Sequence, residues 1–183
     1  MADSGSTEIA LSKQKLTLLF GGALLLAGAA AWMAASPHTF IGNPFLRDPA
    51  YIRMFGILGA VFFAVLGFFL ARKLGDQRPG LLTTTEGFTD NSSGLAVGAV
   101  LWADVLALEE VQMAGQKFVL VKLRDPNKYI EQHTNRFKKQ LLQTNLKSYG
   151  SPIFISANTL QCSHAELATL LATRLAAHRA AGQ

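Results

Sequence analysis

From Leu16 to Ala35 the chain carries no charged side chain, and a second uncharged run extends from Met54 to Ala71. At about 1.5 Å per residue, roughly 20 residues cross a hydrocarbon core about 30 Å thick. Lipid cannot satisfy free backbone groups, so such a run folds as a helix. Lys13 and Lys15 precede the first run, and Arg72 and Lys73 follow the second. The pattern predicts a transmembrane helical hairpin over 16–71, with spans at about 16–35 and 54–71, preceded by an N-terminal tail, 1–15. The first run is longer than the roughly 7–15 apolar residues of a signal-peptide core. Asp3 and Glu8 also lie in the tail before it, so it reads as a retained span.

The connector, Ser36 to Arg53, holds Pro37, Pro44 and Pro49 with Gly42 and Asn43, so it cannot be helical throughout and forms a loop at one membrane face. It carries Arg47 and Arg53, whereas Lys13, Lys15, Arg72, Lys73 and Arg78 lie at the other face. This excess of basic residues predicts that both termini are cytoplasmic. Small residues recur at four-residue spacing: Ala23, Ala27, Ala31 and Ala35 in the first span, then Gly56, Ala60 and Ala64 in the second. They predict close helix packing, within the hairpin or against another membrane protein or a second copy.

After a juncture over 72–80 marked by Gly75, Pro79 and Gly80, the period changes. Short β-like pieces, Leu81–Thr85, Phe88–Asp90 and Leu95–Trp102, are separated by Glu86-Gly87 and Asn91-Ser92-Ser93-Gly94. Val105–Met113 and Lys117–Leu123 flank a hairpin tip at Ala114-Gly115-Gln116; in the second, Phe118, Leu120 and Lys122 share one face and Val119, Val121 and Leu123 the other. Pro126 opens a helix reaching about Lys147. Ile130, His133, Phe137 and Leu141 line one side, and Lys128, Gln132, Arg136 and Lys139 the opposite side. Gly150-Ser151-Pro152 ends it, and Ile153–Ser156 is a last strand. Ser163 and Glu166 have capping-box spacing, and Leu167, Leu170, Leu171 and Leu175 form the apolar stripe of a terminal helix. The Glu8–Ser12 stretch either adds to a sheet edge or stays mobile.

Only 16% of the residues are charged, against about a quarter in an ordinary soluble domain, as two apolar spans require. From Arg72 onward there are 13 Lys and Arg against 9 Asp and Glu. That excess is too dilute for a nucleic-acid stripe, and for a tethered domain the nearest anionic partner is the lipid surface. The single cysteine, Cys162, excludes an internal disulfide and a cysteine-rich zinc site. A lone thiol suits a reducing compartment.

Chemistry-bearing patterns are scarce. His38, His133, His164 and His178 are scattered without metal-ligand spacing, and no glycine-rich stretch ends in the Gly-Lys-Ser/Thr of a phosphate loop. Cys162 and His164 are two apart at a helix start and do not share a face, so no activated thiol is expected. Glu109 and Glu110 are adjacent in a strand and point to opposite faces. Trp102 is expected in the core, with Asp104 capping its turn. No catalytic residue, cofactor or metal is expected. The feature with functional content is the basic helix face of Lys128, Arg136 and Lys139, with Lys138 alongside, where each residue close to an anionic membrane contributes about 1 kcal/mol.

Two spans, a Lys/Arg-Pro-Gly juncture, then "GLLTTTEGFTDNSSG", "VLWADV", "DPNKYI" and "GSPIFIS" resemble an uncharacterised family of small bacterial inner-membrane proteins. Its soluble part is similar to bacterial pleckstrin-homology-like domains. The resemblance implies an α+β membrane protein whose residues 81–183 form an antiparallel β-sandwich or barrel closed by a C-terminal helix, with Trp102 and Asp104 in a Trp-x-Asp turn. It implies a multi-pass inner-membrane location and says almost nothing of activity. The expected function is a noncatalytic membrane-anchored binding or scaffolding module engaging a protein or lipid at the cytoplasmic face. The alternatives are an accessory subunit of a transport or secretion complex or an envelope immunity protein acting through its hairpin, and, third, an enzyme on lipid substrates.

Overall fold

The computed structural model describes residues 5–41 and 48–182; Asp3 of the expected tail and Gly42, Asn43, Pro44 and Arg47 of the connector lie outside them. The chain forms two compact units, Lys13–Asp76 and a second unit made from the segments on either side of it.

The first unit is a helix pair, α1 (Lys13–Ala35) and α2 (Pro49–Leu74), about 34 and 39 Å long at 1.5 Å per residue. Both are long and apolar enough to cross a membrane. α2 starts before the uncharged run because Pro49 occupies its first turn and Asp48 Oδ1 accepts from Ala50 N at 2.8 Å, which brings Arg53 into the helix. The Lys13 ammonium donates to Leu74 O at 2.5 Å and Asp76 O at 2.7 Å, placing a cation on carbonyls at the negative end of α2.

Ala23 and Gly56 are buried in this unit, and Ala27 and Ala60 are half-buried. A Cβ on Gly56 would lie 2.5 Å from Ala34 N and 2.8 Å from Ala30 O, so the two backbones touch there. Ala31, Ala35 and Ala64, expected on the same stripes, are exposed. Four residues advance a helix by about 400°, so a strict four-residue stripe drifts about 40° per step from the contact line. The line continues through Ala30, Ala34 and Gly67 instead.

The second unit begins before the helix pair. β1 (Thr7–Ile9) pairs antiparallel with β2 (Leu81–Thr83), which pairs with β3 (Gly87–Asp90), which pairs with β4 (Gly98–Leu101). A second antiparallel sheet holds β5 (Val105–Met113), β6 (Gln116–Leu123) and β7 (Ile153–Ile155). α3 (Pro126–Glu131) and α4 (Arg136–Tyr149) lie between β6 and β7 in the chain, and α5 (His164–Ala181) ends the unit. The helix pair is thus an insertion between the first two strands. Residues 5–12 are not a free tail: Ser12 N donates to Thr159 O at 2.8 Å, Gln161 N to Ala10 O at 2.9 Å, and Arg174 Nη2 to Thr7 Oγ1 at 2.5 Å. The sheet-edge alternative for Glu8–Ser12 is the one adopted.

Of the sandwich or barrel expected, the closed barrel is not formed. Among the described residues no strand of β1–β4 pairs with a strand of β5–β7, and the chain changes sheet at a 3-10 turn, Trp102–Asp104. The core between these elements contains Leu81, Phe88, Trp102, Val121, Tyr129, Ile130 and Leu142. Leu167, Leu171 and Leu175 of α5 are buried at four-residue spacing, and Leu170 is half-buried. The Ser163–Glu166 capping box forms, with Ser163 N donating to Glu166 Oε2 at 2.7 Å.

β5 and β6 close through a two-residue turn, Met113 facing Gln116, with Ala114 at φ 48° and Gly115 at φ 77°. This turn needs positive φ at both centres, and Ala114 bears a steric cost there that Asn avoids. Ala114→Asn is therefore expected to stabilise the unit by about 0.5–1 kcal/mol and to raise Tm by about 2–5 °C in thermal denaturation. An unchanged or lower Tm would show that the turn is not strained.

Candidate functional site

The Trp102–Asp104 turn organises one end of the second unit. Trp102 is 1% exposed and packs on Phe88 with ring centroids 5.1 Å apart. Its indole N–H donates to Thr84 O at 3.0 Å, and its backbone N to Glu86 O at 2.9 Å. Asp104 does not cap its turn as expected, since the turn carries no side-chain cap hydrogen bond; its carboxylate reaches α3 instead. Its Oδ2 accepts from Lys128 Nζ at 2.7 Å and from the Tyr129 hydroxyl at 2.6 Å, while that hydroxyl accepts from Leu101 N at 3.2 Å. Bonds from Lys128 and then Tyr129 hold the Asp104 carboxyl below the ordinary value of 3.8. A group so depressed stabilises the fold fully above the unfolded value and loses that contribution as pH falls through the lower folded value. Acid unfolding of the wild type is expected to steepen below pH 3.8, and Asp104→Asn to flatten that limb while lowering stability at neutral pH. Equal slopes in acid titrations of the two proteins would remove Asp104 from the account.

The expected continuous helix from Pro126 to about Lys147 is two helices. Asp125 caps α3, and Asn135 Oδ1 caps α4 by accepting from Phe137 N at 2.9 Å and Lys138 N at 3.1 Å. An N-cap residue has extended backbone, so the helix restarts rather than continues. The break scatters the predicted basic face. Lys128 is bound to Asp104. Lys138 donates to Ala96 O at 2.6 Å, and burial pushes its ammonium below the ordinary lysine value, against the opposing pull of Asp90. Arg136 is exposed and Lys139 half-buried. Phe137, expected on the apolar side, is 69% exposed. The first turn of α4 has three basic residues and no acidic one, a concentration of positive charge at the positive end of a helix.

Two clefts flank the segment 90–97, in which the sequence predicted a turn only at Asn91–Gly94 and a strand from Leu95; the strand β4 starts later, at Gly98. One, of about 460 Å³, has an apolar floor that includes Met113, Phe118, Tyr149, Phe154 and Leu95. Phe154 stands edge-on to Phe118 and Tyr149, at centroid distances of 6.1 and 5.2 Å. The loop is fastened by Ser92 N donating to Asp90 Oδ1 at 2.8 Å and by Thr159 Oγ1 donating to Ser92 O at 2.8 Å. Ser92 is 3% exposed, and its buried hydroxyl has no hydrogen-bond partner. Asn145 and Asn158, the latter donating its amide to Gln116 Oε1 at 2.6 Å, also line the cleft. An aromatic floor with a few polar groups suits an apolar side chain or acyl group.

The second cleft, of about 580 Å³, is lined by Arg78, Pro79, Asn91, His133 and Lys138 and shares Asp90 with the first. Burial, and then the charges of Lys138 and Lys139, lower the His133 pKa, and its Nε2 is buried without a partner. It is therefore a neutral imidazole at neutral pH.

The remaining candidates separate. Glu109 lies 3.7 Å from Lys122, whereas Glu110 lies 2.8 Å from His164 Nε2 at the start of α5. The two carboxylates thus serve different elements, as expected of adjacent strand residues. Among the described residues no group of three His, Cys, Asp or Glu converges. No protein-family model, curated protein or solved structure matches the chain.

Proposed function

We propose that the chain is a noncatalytic, membrane-anchored binding module. In this reading α1 and α2 cross the bacterial inner membrane, both termini are cytoplasmic, and the second unit is a pleckstrin-homology-like domain. Its apolar cleft beside residues 91–97 receives a protein segment or a lipid. The observation that carries the reading is the outward display of large apolar side chains on the helix pair: Leu18 is 79% exposed, Leu25 75%, Phe62 63% and Phe69 61%. In water each such side chain forgoes about 1.5–3 kcal/mol of burial, a cost that lipid removes. The pairing of β1 with β2 supports a hairpin, since the segments leaving both helices join one folded unit and so emerge on one side. The order of four strands, three strands and a terminal helix supports the domain assignment.

The chain is expected in the membrane fraction, resistant to alkaline wash and released only by detergent. A chain that is monodisperse in plain buffer would overturn the anchoring. Photo-crosslinkers at Phe118 and Phe154 are expected to capture the partner. No capture there, with capture instead by photo-crosslinkers placed on α1 and α2, would favour the other reading, an accessory subunit of a transport or secretion complex or an envelope immunity protein. That reading is favoured by Gly21, Gly22 and Gly28, where a Cβ would meet nothing within 4 Å beyond the helix's own local backbone, leaving a face open to another helix.

A further inference from the structure

We propose that the corner joining α3 to α4, through Phe137, Arg136 and Lys139, rests on the anionic headgroup layer of the bilayer in which the chain is anchored. This deepens the anchored reading and depends on it. Phe137 is 69% exposed, more than any other large apolar side chain described in the second unit; Leu106 follows at 49%. The restart of the helix at Asn135 turns this ring outward. Cations bracket it: Arg136 is exposed and Lys139 half-buried, while Lys138 behind them is held by Ala96 O. The nearest acidic residue along the chain is Glu131. An apolar tip among cations matches the interface of an anionic membrane, with the ring at the acyl boundary and the charges among phosphates.

Chain connectivity supplies the location. His133 and Lys138 line the same cleft as Arg78 and Pro79. Arg78 is four residues beyond Leu74, the end of α2, and four residues reach at most about 14 Å. The cleft wall at Arg78 is therefore tethered within that distance of the end of α2, one turn beyond the apolar run that ends at Ala71. The tether keeps lipid at high local concentration, so one aromatic and two cations suffice where a free protein partner would need roughly 800 Å² of surface.

The test uses the full chain in vesicles of phosphatidylethanolamine and phosphatidylglycerol, compared with phosphatidylcholine alone. A nitroxide is placed at Phe137→Cys in a Cys162→Ser background. Its collision rate with a water-soluble nickel chelate is expected to be roughly fivefold lower in the anionic vesicles. Arg136→Glu with Lys139→Glu should abolish the difference, and Arg136→Lys with Lys139→Arg should retain it. Equal access in both vesicles overturns the proposal. So does dipolar broadening that vanishes on dilution with unlabelled chain, because it would assign Phe137 to a contact between copies. A second label at Phe62→Cys separates the two readings. If it excludes nickel while the label at 137 does not, the anchoring stands and only the corner contact falls; if it admits nickel, both fall.

Discussion

Replacing Gly87 with alanine is expected to destabilise the second unit by about 3 kcal/mol or more, lowering Tm by roughly 10–15 °C. A Cβ at this position would lie 2.1 Å from Val100 O and 3.0 Å from the Leu101 Cα. Both are backbone atoms of the neighbouring strand, which can yield only if the β3–β4 ladder shifts. The ladder cannot shift alone. Thr84 N donates to Gly87 O at 2.8 Å, Gly87 N donates to Thr84 Oγ1 at 3.2 Å, and Thr84 O receives the Trp102 indole N–H. Displacing Gly87 thus loosens the seat of the largest buried side chain. Gly94→Ala is the control, because a Cβ there meets nothing within 4 Å. Thermal denaturation that ranks the two variants together would refute the close approach.

The helix pair gives the second large effect. Gly56→Ala is expected to cost about 2–3 kcal/mol of hairpin stability, because its methyl would meet Ala34 N and Ala30 O at 2.5 and 2.8 Å and force the helices apart along the contact line. Gly28→Ala, facing open space, is expected to be neutral or slightly stabilising through helix propensity. The two substitutions are chemically identical, so propensity alone predicts one sign for both, whereas packing predicts opposite signs. Unfolding in detergent mixtures by sodium dodecyl sulfate, followed by circular dichroism, distinguishes them. A Gly56→Ala midpoint at or above that of Gly28→Ala would mean the helices do not touch at Gly56.

The chain pattern was legible where a local rule decides the outcome. β5 runs Val105–Met113 as read from its place before the hairpin tip, and the capping box at Ser163 forms as its spacing requires. The long apolar runs gave both helices, missing only the polar ends, at residues 13–15, 49–53 and 72–74. Trp102 is buried as its apolar neighbours implied. Periodicity failed at Gln132–Asn135, because Ile130, His133, Phe137 and Leu141 keep helical spacing straight through a break made by the Asn135 cap. It also left the Glu8–Ser12 stretch open between a sheet edge and a mobile segment, because β1 has three residues and meets β2 across 76 positions, the separation between Thr7 and Thr83.

The same division holds for the candidate site. The sequence by itself determined which segments are apolar enough to leave water, where the capping box starts α5, and which residues are charged, because these depend on neighbours a few positions away. Only the tertiary structure decided that Asp104 takes Lys128, that Ala96 takes Lys138, and that Arg136 and Phe137 are left facing outward. It also set the 90–97 segment between two clefts and threaded the helix pair between β1 and β2. Those outcomes depend on which distant groups meet once the core closes, and a buried carbonyl or carboxylate binds whichever donor the fold delivers to it.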